Sequence, residues 1–492
     1  MFLGVASAEK CSGGDRRKTL ANHTLQRTEW RSWWGLKGYL PPLSFIIMWL
    51  SPQVKERIDD HHENTILAGF CIIDKYCVFV KIVEDNMAVL RGYAQCKTCR
   101  ENYILRAGVG TERYQPHIFD CKSCGLTISI IVKTNPPNAH FEPEENVIIE
   151  DSEGENAVVL NLHPFFAFNS EEIHDLMAFP SLLYGSKIAP YLRLVPNRNF
   201  LGIQSQDIAL QFDVPNASNL WITVKNIFLL QEGVGQSKRM KKAIEYYEKQ
   251  RQKYFAETKV SSSKDVVFNF FDSLFYPRFD ELLEPALALI FKIKYNHPRE
   301  FVEFLKFYSS SLREGHLRQY ISVFSDYFKI YNQLSQMVVH SRISDEDVDD
   351  KIVGSKSFES VKLYYGQAYE SLTGFFVAFA CLNNILLGRS YDQFQSMTLN
   401  KYMKDVSKEK KASPFEQTQP FYAFTDGLDS TLRNGSHHAS IWRNGEKIFY
   451  RSGSTGAQRE IPYSRYLHLC NKLTISLAAL FIIELELRES SV

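Results

Sequence analysis

Two cysteine pairs, Cys96-Lys-Thr-Cys99 and Cys121-Lys-Ser-Cys124, constrain this chain more than any other feature. Two residues between cysteines let both thiolates point to one side of a tight turn, and two such turns complete a tetrahedron around Zn²⁺. The pairs stand 21 residues apart, and Gly125 follows the second. With four protein sulfurs no coordination position stays open for catalysis, so a metal held here is structural. The other five cysteines, Cys11, Cys71, Cys77, Cys381 and Cys470, are scattered through the 492 residues. That distribution suits a reducing compartment with one metal site better than a disulfide framework, a redox dithiol being the competing use of the pairs. His117 lies near the second pair but is not needed as a ligand.

The spacing of the pairs resembles that of zinc ribbons in general. Lys97, Arg100, Arg106, Arg113 and Lys122, with Tyr103 and Tyr114, give this region either an RNA-facing surface or a merely solvated one. The whole chain has no such bias: 57 basic residues against 56 acidic leave a formal charge of +1. No global field draws it to nucleic acid, so any RNA contact must come from local patches. Its 45% hydrophobic and 23% charged residues are ordinary for a soluble globular protein of roughly two to four domains. Leu43 to Leu50 is apolar but short of the ~20 residues that span a bilayer, and charge follows the first residues too closely for a signal peptide. The expectation is a cytoplasmic protein with no membrane partner.

Five segments follow from the pattern. Residues 1–47 have weak periodicity and a tryptophan cluster at Trp30, Trp33 and Trp34, and read as an appended extension, with Met48 as an alternative start. Residues 48–156 form a β-rich domain: Ile66 to Ile73 and Cys77 to Val83 are strand-like runs, the cysteine pairs come next, and the acidic stretch Glu142 to Glu155 closes the domain as a loop or linker. Residues 157–260 are a mixed middle segment, broken by Pro164, Pro180, Pro190, Pro196 and Pro215. It ends in a helix-like stretch, Gln236 to Lys259, headed by Lys238-Arg-Met-Lys-Lys242 and carrying Tyr246, Tyr247 and Tyr254, which either lies along RNA or is a solvated face. Gly233-Val-Gly235 is not a phosphate loop, because the Gly-Lys-Ser/Thr core is missing. After a hinge at Ser261-Ser-Ser263, residues 261–350 are helical, with core stripes at Phe301, Phe304, Leu305, Tyr308 and Leu312 and at Tyr320, Phe324, Tyr327, Phe328, Tyr331 and Leu334. The acidic connector Asp345 to Asp350 leads to residues 351–492, whose central helix is Lys356 to Leu387. The basic run Lys401 to Lys411 follows, either bordering a site or forming a polar loop.

The chemistry lies in Leu432-Arg-Asn-Gly-Ser-His-His-Ala-Ser440. Arg433, Asn434 and His438 bring together a permanent cation, an amide and a base that titrates near neutrality. A histidine can move a proton near pH 7, and a guanidinium can hold a phosphate by two parallel hydrogen bonds. On a straight helix Arg433 and His437 are nearly aligned, whereas Arg433 and His438 diverge by roughly 140°. Convergence of Arg433 with His438 therefore needs the helix to end or bend between them, for which Gly435 is suited, or needs a dimer. The competing reading is a capped helix end with two solvent-facing histidines.

Arg433-Asn434-x-x-x-His438 resembles the signature of the HEPN superfamily of metal-independent RNases, in its Apea-like group, over about residues 355 to 488. The apolar lead-in Pro420 to Leu432, the hairpin Ile441 to Tyr450 around Asn444-Gly445, and the amphipathic stretch Tyr463 to Leu487 fit that frame. The fold expected is multidomain α+β: an N-terminal β-rich zinc-ribbon region, a mixed middle segment and a C-terminal all-α HEPN-like helical bundle. The resemblance implies an endoribonuclease that needs no cofactor for catalysis. In it His438, or His437 as second candidate, moves the proton, Arg433 neutralises the developing phosphorane, and Asn434 orients the histidine or the phosphate. It further implies products with a 2′,3′-cyclic phosphate and a 5′-hydroxyl, a homodimer, and a toxin or antiphage role against tRNA or other translation RNAs. The rival is a non-catalytic nucleic-acid-binding or scaffold protein with a structural zinc. A metal-dependent nuclease lacks support, since no Asp/Glu cluster has the spacing of a nuclease metal site.

Overall fold

Three antiparallel strands come first in the chain: β1 (Gly4–Ala6), β2 (Leu67–Ile73) and β3 (Tyr76–Lys81), in the order β1-β3-β2. Besides these strands, the computed structural model describes residues 89–490, except 111, 136–137, 179–192, 196–206, 210–213, 215, 232–236, 253–259, 438–439 and 452–455. Two units are present, one of Leu3–Asp85 with Asn197–Ala209, the other of Asn86–Pro196 and Leu210–Val492 with Met1–Phe2. The single domain expected over 48–156 therefore divides at residue 85.

In the larger unit, β4 (Val89–Cys96) and β5 (Asn102–Gly108) form one antiparallel hairpin, and β6 (Tyr114–Asp120) and β7 (Thr127–Asn135) form another. Each sequence alternates: Gln115, His117 and Phe119 turn inward on β6, and Ile128, Ile130 and Val132 on β7. β8 (Asn138–Glu145) extends the second hairpin and β9 (Val147–Glu150) pairs with β4. The expected acidic linker is thus largely two strands. Its carboxylates face outward, Glu142 reaching Lys133 at 2.7 Å, while Phe141 and Val147 pack on the core. β10 (Val158–Leu162) lies parallel to β5 and completes the order β10-β5-β4-β9, so the boundary expected at 156/157 falls inside a sheet.

β11 (Phe168–Asn169), β12 (Arg193–Val195) and β13 (Asp207–Ala209) follow, and from residue 217 the chain is mainly helical. α1 (Ala217–Gln231), α2 (Ser237–Gln252), α3 (Ser263–Phe275), α4 (Arg278–Asn296) and α5 (Pro298–Phe307) lead through a π turn, Tyr308–Leu312, into α6 (Arg313–Lys329) and α7 (Tyr331–Arg342). The expected hinge at Ser261-Ser-Ser263 is the cap of α3: the Asp265 N–H donates to Ser262 Oγ and the Ser262 N–H to the Asp265 carboxylate, both at 3.0 Å. On α2 the basic head faces solvent and Tyr246 is exposed, but Tyr247 is buried and donates to Asn269 at 2.8 Å; Tyr254 lies outside the described residues.

β14 (Lys351–Ile352) pairs with β11 and ties the β-rich region to the helices. At Gly354 a Cβ would stand 2.7 Å from the Ile118 carbonyl oxygen, so only glycine permits this approach. α8 (Phe358–Leu386) is the expected long helix, followed by α9 (Leu399–Asp405), α10 (Gln419–Tyr422) and α11 (Ser430–His437). A small sheet of β15 (Ile441–Asn444), β16 (Lys447–Tyr450) and β17 (Arg459–Pro462) then precedes α12 (Tyr463–Glu489). The expected hairpin turn sits one residue along, at Gly445-Glu446, with Gly445 at φ 58°.

α12 is long and apolar enough to cross a membrane by length and composition, but its apolar window is 89% buried by the rest of this chain. It is the centre of one hydrophobic core that runs from Ala167 to Leu487 and through the expected boundaries at 260 and 350. Tyr320 stacks between Phe375 and Phe481, with ring centroids at 4.0 and 4.6 Å. Within that core lies a carboxylate, Glu484, 1% exposed. It receives hydrogen bonds from Tyr308 at 2.8 Å and Tyr320 at 3.2 Å and pairs with His316 at 2.9 Å. Glu484→Ala would strand these three groups, and a loss on the order of 3–5 kcal/mol in urea unfolding is expected. A loss under ~1 kcal/mol would mean that the cluster holds nothing together.

Burial also fixes protonation. It pushes His117 and His468 down to about 4, and His163 well below the ordinary histidine range. A histidine kept neutral by the fold is protonated more readily once unfolded. Its contribution is therefore complete above pH 6.5 and is lost as pH falls from 6.5 toward 4. At pH 5 this amounts to on the order of 2 kcal/mol for each of His117 and His468. Urea midpoints measured at pH 7 and pH 5 should separate accordingly, and His468→Gln should remove part of the separation. Equal midpoints at the two pH values would refute it.

Candidate functional site

The cysteine pairs occupy the tips of the β4–β5 and β6–β7 hairpins, in two loops of the same build. In the first, the Cys96 N–H donates to the Glu101 carbonyl at 2.9 Å and the Arg100 N–H to the Cys96 carbonyl at 3.1 Å. In the second, the Cys121 N–H donates to Leu126 and the Gly125 N–H to Cys121, both at 2.8 Å. Arg100 and Gly125 take the same left-handed conformation, φ 65° and 69°. The loops bring four sulfurs within 4.8 Å of one another, with Cys96 and Cys124 at 3.8 Å and Cys99 and Cys121 at 3.4 Å. A tetrahedron with metal–sulfur bonds of ~2.3 Å needs sulfurs about 3.8 Å apart. A disulfide needs about 2.05 Å, and all four are free thiols. This cluster can hold a metal ion.

Tyr103 belongs to this cluster rather than to an outer surface: it is buried, donates to Cys121 Sγ at 3.2 Å and accepts the Lys122 N–H at 2.9 Å. Burial opposes the Cys121 thiolate, but the Tyr103 hydroxyl and the N–H groups of Cys124 and Ser123 bring the thiol down to about 6. At Cys99 the Glu101 N–H favours the thiolate, yet burial and the other sulfurs push the thiol up to about 12. The donors at Cys121 already favour one thiolate, the state a metal requires of every ligand. Of the other surface candidates, Lys97, Arg100, Lys122 and Arg113 are exposed, and Arg106 donates to the Leu176 carbonyl. Tyr114 is 55% exposed, with the Arg113 and Lys133 cations 5.8 and 5.4 Å from its ring centre. His117 is buried within β6.

The Arg433 site is assembled from three elements. A turn at Gly427 (φ 93°) is held by the Tyr365 hydroxyl, which donates to the Gly427 carbonyl at 3.2 Å and accepts the Asp429 N–H at 3.0 Å. Asp429 then caps α11, accepting from Thr431 and Leu432 at 2.7 and 2.9 Å. Leu432 and Gly435 face the core, and a Cβ at Gly435 would meet Ile441 at 3.3 Å. Gly435 is therefore a packing position and not the expected bend. The helix runs on to His437, and the Ser440 N–H returns to the Gly435 carbonyl at 3.1 Å, so the helix ends between Arg433 and His438. His437 is its last residue; His438 lies outside the described residues.

Arg433 faces away from the core and is partly buried. One amino group makes an ion pair with Glu370 on α8, and the other donates to Asn434 Oδ1 at 2.8 Å. Its Nε–H has no hydrogen-bond partner among the described residues. The Lys408 ammonium stands 3.5 Å from the other Glu370 oxygen and donates to the Glu370 carbonyl at 3.2 Å. Two cations thus share one carboxylate, and Glu409 and Asp429 add negative charge around Tyr369 beside them. Tyr369 is held neutral, burial pushing its phenol up to about 12.

Sequence reasoning identified neither Glu370 nor the particular lysine. The available signal was that Glu370 is the only carboxylate between Ser360 and Leu386, in an otherwise apolar helix. Comparison of the chain with family models, curated proteins and solved structures finds no match.

Proposed function

We propose that this protein is a metal-independent endoribonuclease of HEPN type, with Arg433, Asn434 and His438 as its catalytic residues and His437 as second candidate. The observation that carries this reading is the Arg433 guanidinium, set on a capped helix, paired with Glu370 and with its buried Nε–H unpartnered among the described residues. α11 ends at His437, which agrees with the helix end that the spacing of Arg433 and His438 calls for. In the reaction the 2′-oxygen attacks phosphorus while a histidine takes its proton. The P–O5′ bond breaks, and the leaving oxygen takes a proton from an acid, the second histidine of a homodimer. Arg433 neutralises charge on the non-bridging oxygens. The products are a 2′,3′-cyclic phosphate and a 5′-hydroxyl.

The four cysteines fit Zn²⁺ in a zinc ribbon, where the metal would replace missing core as a structural cross-link. A toxin or antiphage role in the cytoplasm, against tRNA or another translation RNA, belongs to the same reading by analogy with the superfamily. A second reading, a nucleic-acid-binding scaffold, is favoured by the Arg433–Glu370 pair, which a purely structural arginine would also make. Incubation of purified protein with total RNA in EDTA separates the two: cleavage abolished by Arg433→Ala and His438→Ala supports the nuclease, and binding without cleavage the scaffold.

A further inference from the structure

The segment from α9 to Lys411 is a clamped loop beside Arg433. Its buried Lys411 ammonium donates to the Tyr402 carbonyl and, at 3.1 Å, to that of Met403, and it lies 4.6 Å from the Tyr402 ring centre. Tyr402 stacks on Phe394 with centroids at 4.7 Å. One lysine is thus used to fix the loop, while Lys401, Lys404 and Lys410 are exposed. Lys408 is directed back to α8, where its ammonium lies beside Gly374 and donates to the Glu370 carbonyl at 3.2 Å.

From this geometry we infer that Lys408 is a second phosphate-binding cation of the Arg433 site, and that its loop binds the RNA backbone; this rests on the reading of the site as an RNase. A carboxylate presents two oxygens to two cations much as a phosphodiester presents its two non-bridging oxygens. Glu370 is the placeholder anion: it holds Arg433 and Lys408 at one spot without substrate and yields them to a phosphate. Lys401, Lys404 and Lys410 add sequence-independent contacts, so the preference is for the phosphate backbone and not for a base.

The test measures binding of a fluorescein-labelled single-stranded RNA to full-length His438→Ala protein, which leaves the RNA intact, across a KCl series. Adding Lys408→Ala should weaken binding about 3- to 10-fold at 0.1 M KCl and reduce the slope of log K against log [KCl] by about 1. Lys408→Arg should retain most of the affinity, and Lys329→Ala, which removes a remote lysine paired with Asp326, should change nothing. Unchanged affinity and slope in Lys408→Ala overturn the inference, as does weaker binding with an unchanged slope or a lowered melting temperature. If the His438-containing protein still cleaves RNA in EDTA, the RNase reading survives that failure; if it neither binds nor cleaves, both fall.

Discussion

Cys121→Ser is expected to abolish metal binding and to unfold the β-rich region of residues 89–170, the largest stability effect of any single change in this chain. The two hairpins meet at their cysteine tips, and their shared core is small: Tyr103, Leu105, Phe119, Ile128, Ile130 and Leu160 are its main apolar contributors. A structural Zn²⁺ contributes about 10–16 kcal/mol at neutral pH, comparable with the whole stability of an ordinary domain, ~5–15 kcal/mol. Elemental analysis should find one zinc per chain in the parent protein and none in Cys121→Ser. Amide exchange should show protection lost first in β4 to β9, with the core around α12 retained, because that core is built separately. A strong chelator should reproduce the result. A parent protein without metal, or equal protection in the variant, would refute the assignment.

The largest effect on activity is expected at Arg433 and His438. On the proposed mechanism, Arg433→Ala would remove the charge that stabilises the phosphorane, a loss of about 10²–10³-fold in cleavage rate. On the same mechanism His438→Ala would remove the proton carrier, a loss of about 10²–10⁴-fold. Both rates are to be measured with EDTA present, and the product ends read as 2′,3′-cyclic phosphate and 5′-hydroxyl. Chelation that stops cleavage at once, before any unfolding, would exclude the mechanism. If His437→Ala abolishes cleavage and His438→Ala does not, the proton carrier is His437, which on a helix lies almost directly over Arg433.

Several elements were legible in the sequence because their causes are local. A C-x-x-C pair closes its own loop, so the spacing of Cys96, Cys99, Cys121 and Cys124 was enough to anticipate four sulfurs at one point. Period 3.6 in an apolar run was enough for α8 and α12. The acidic stretch Glu142 to Glu155 misled because its composition is that of a loop, while backbone pairing with β7 and β4, and Val147 turned inward, make most of it strand. Tyr103 misled because an aromatic among cations suggests an outer face, and only the fold turns its hydroxyl onto Cys121.

The candidate site divides along the same line. The sequence alone determined which candidate groups are at hand: a guanidinium, an amide and two imidazoles within six residues, and four thiols in two pairs. Tertiary structure alone decided their partners. Glu370 is 63 residues before Arg433 and Lys408 is 25 before it, and they meet because α11 and the Lys411-clamped loop both pack on α8. Side-chain chemistry is a property of one residue and short spacings are fixed by the backbone, whereas a pairing across such distances exists only after burial of apolar faces has set the helices beside one another.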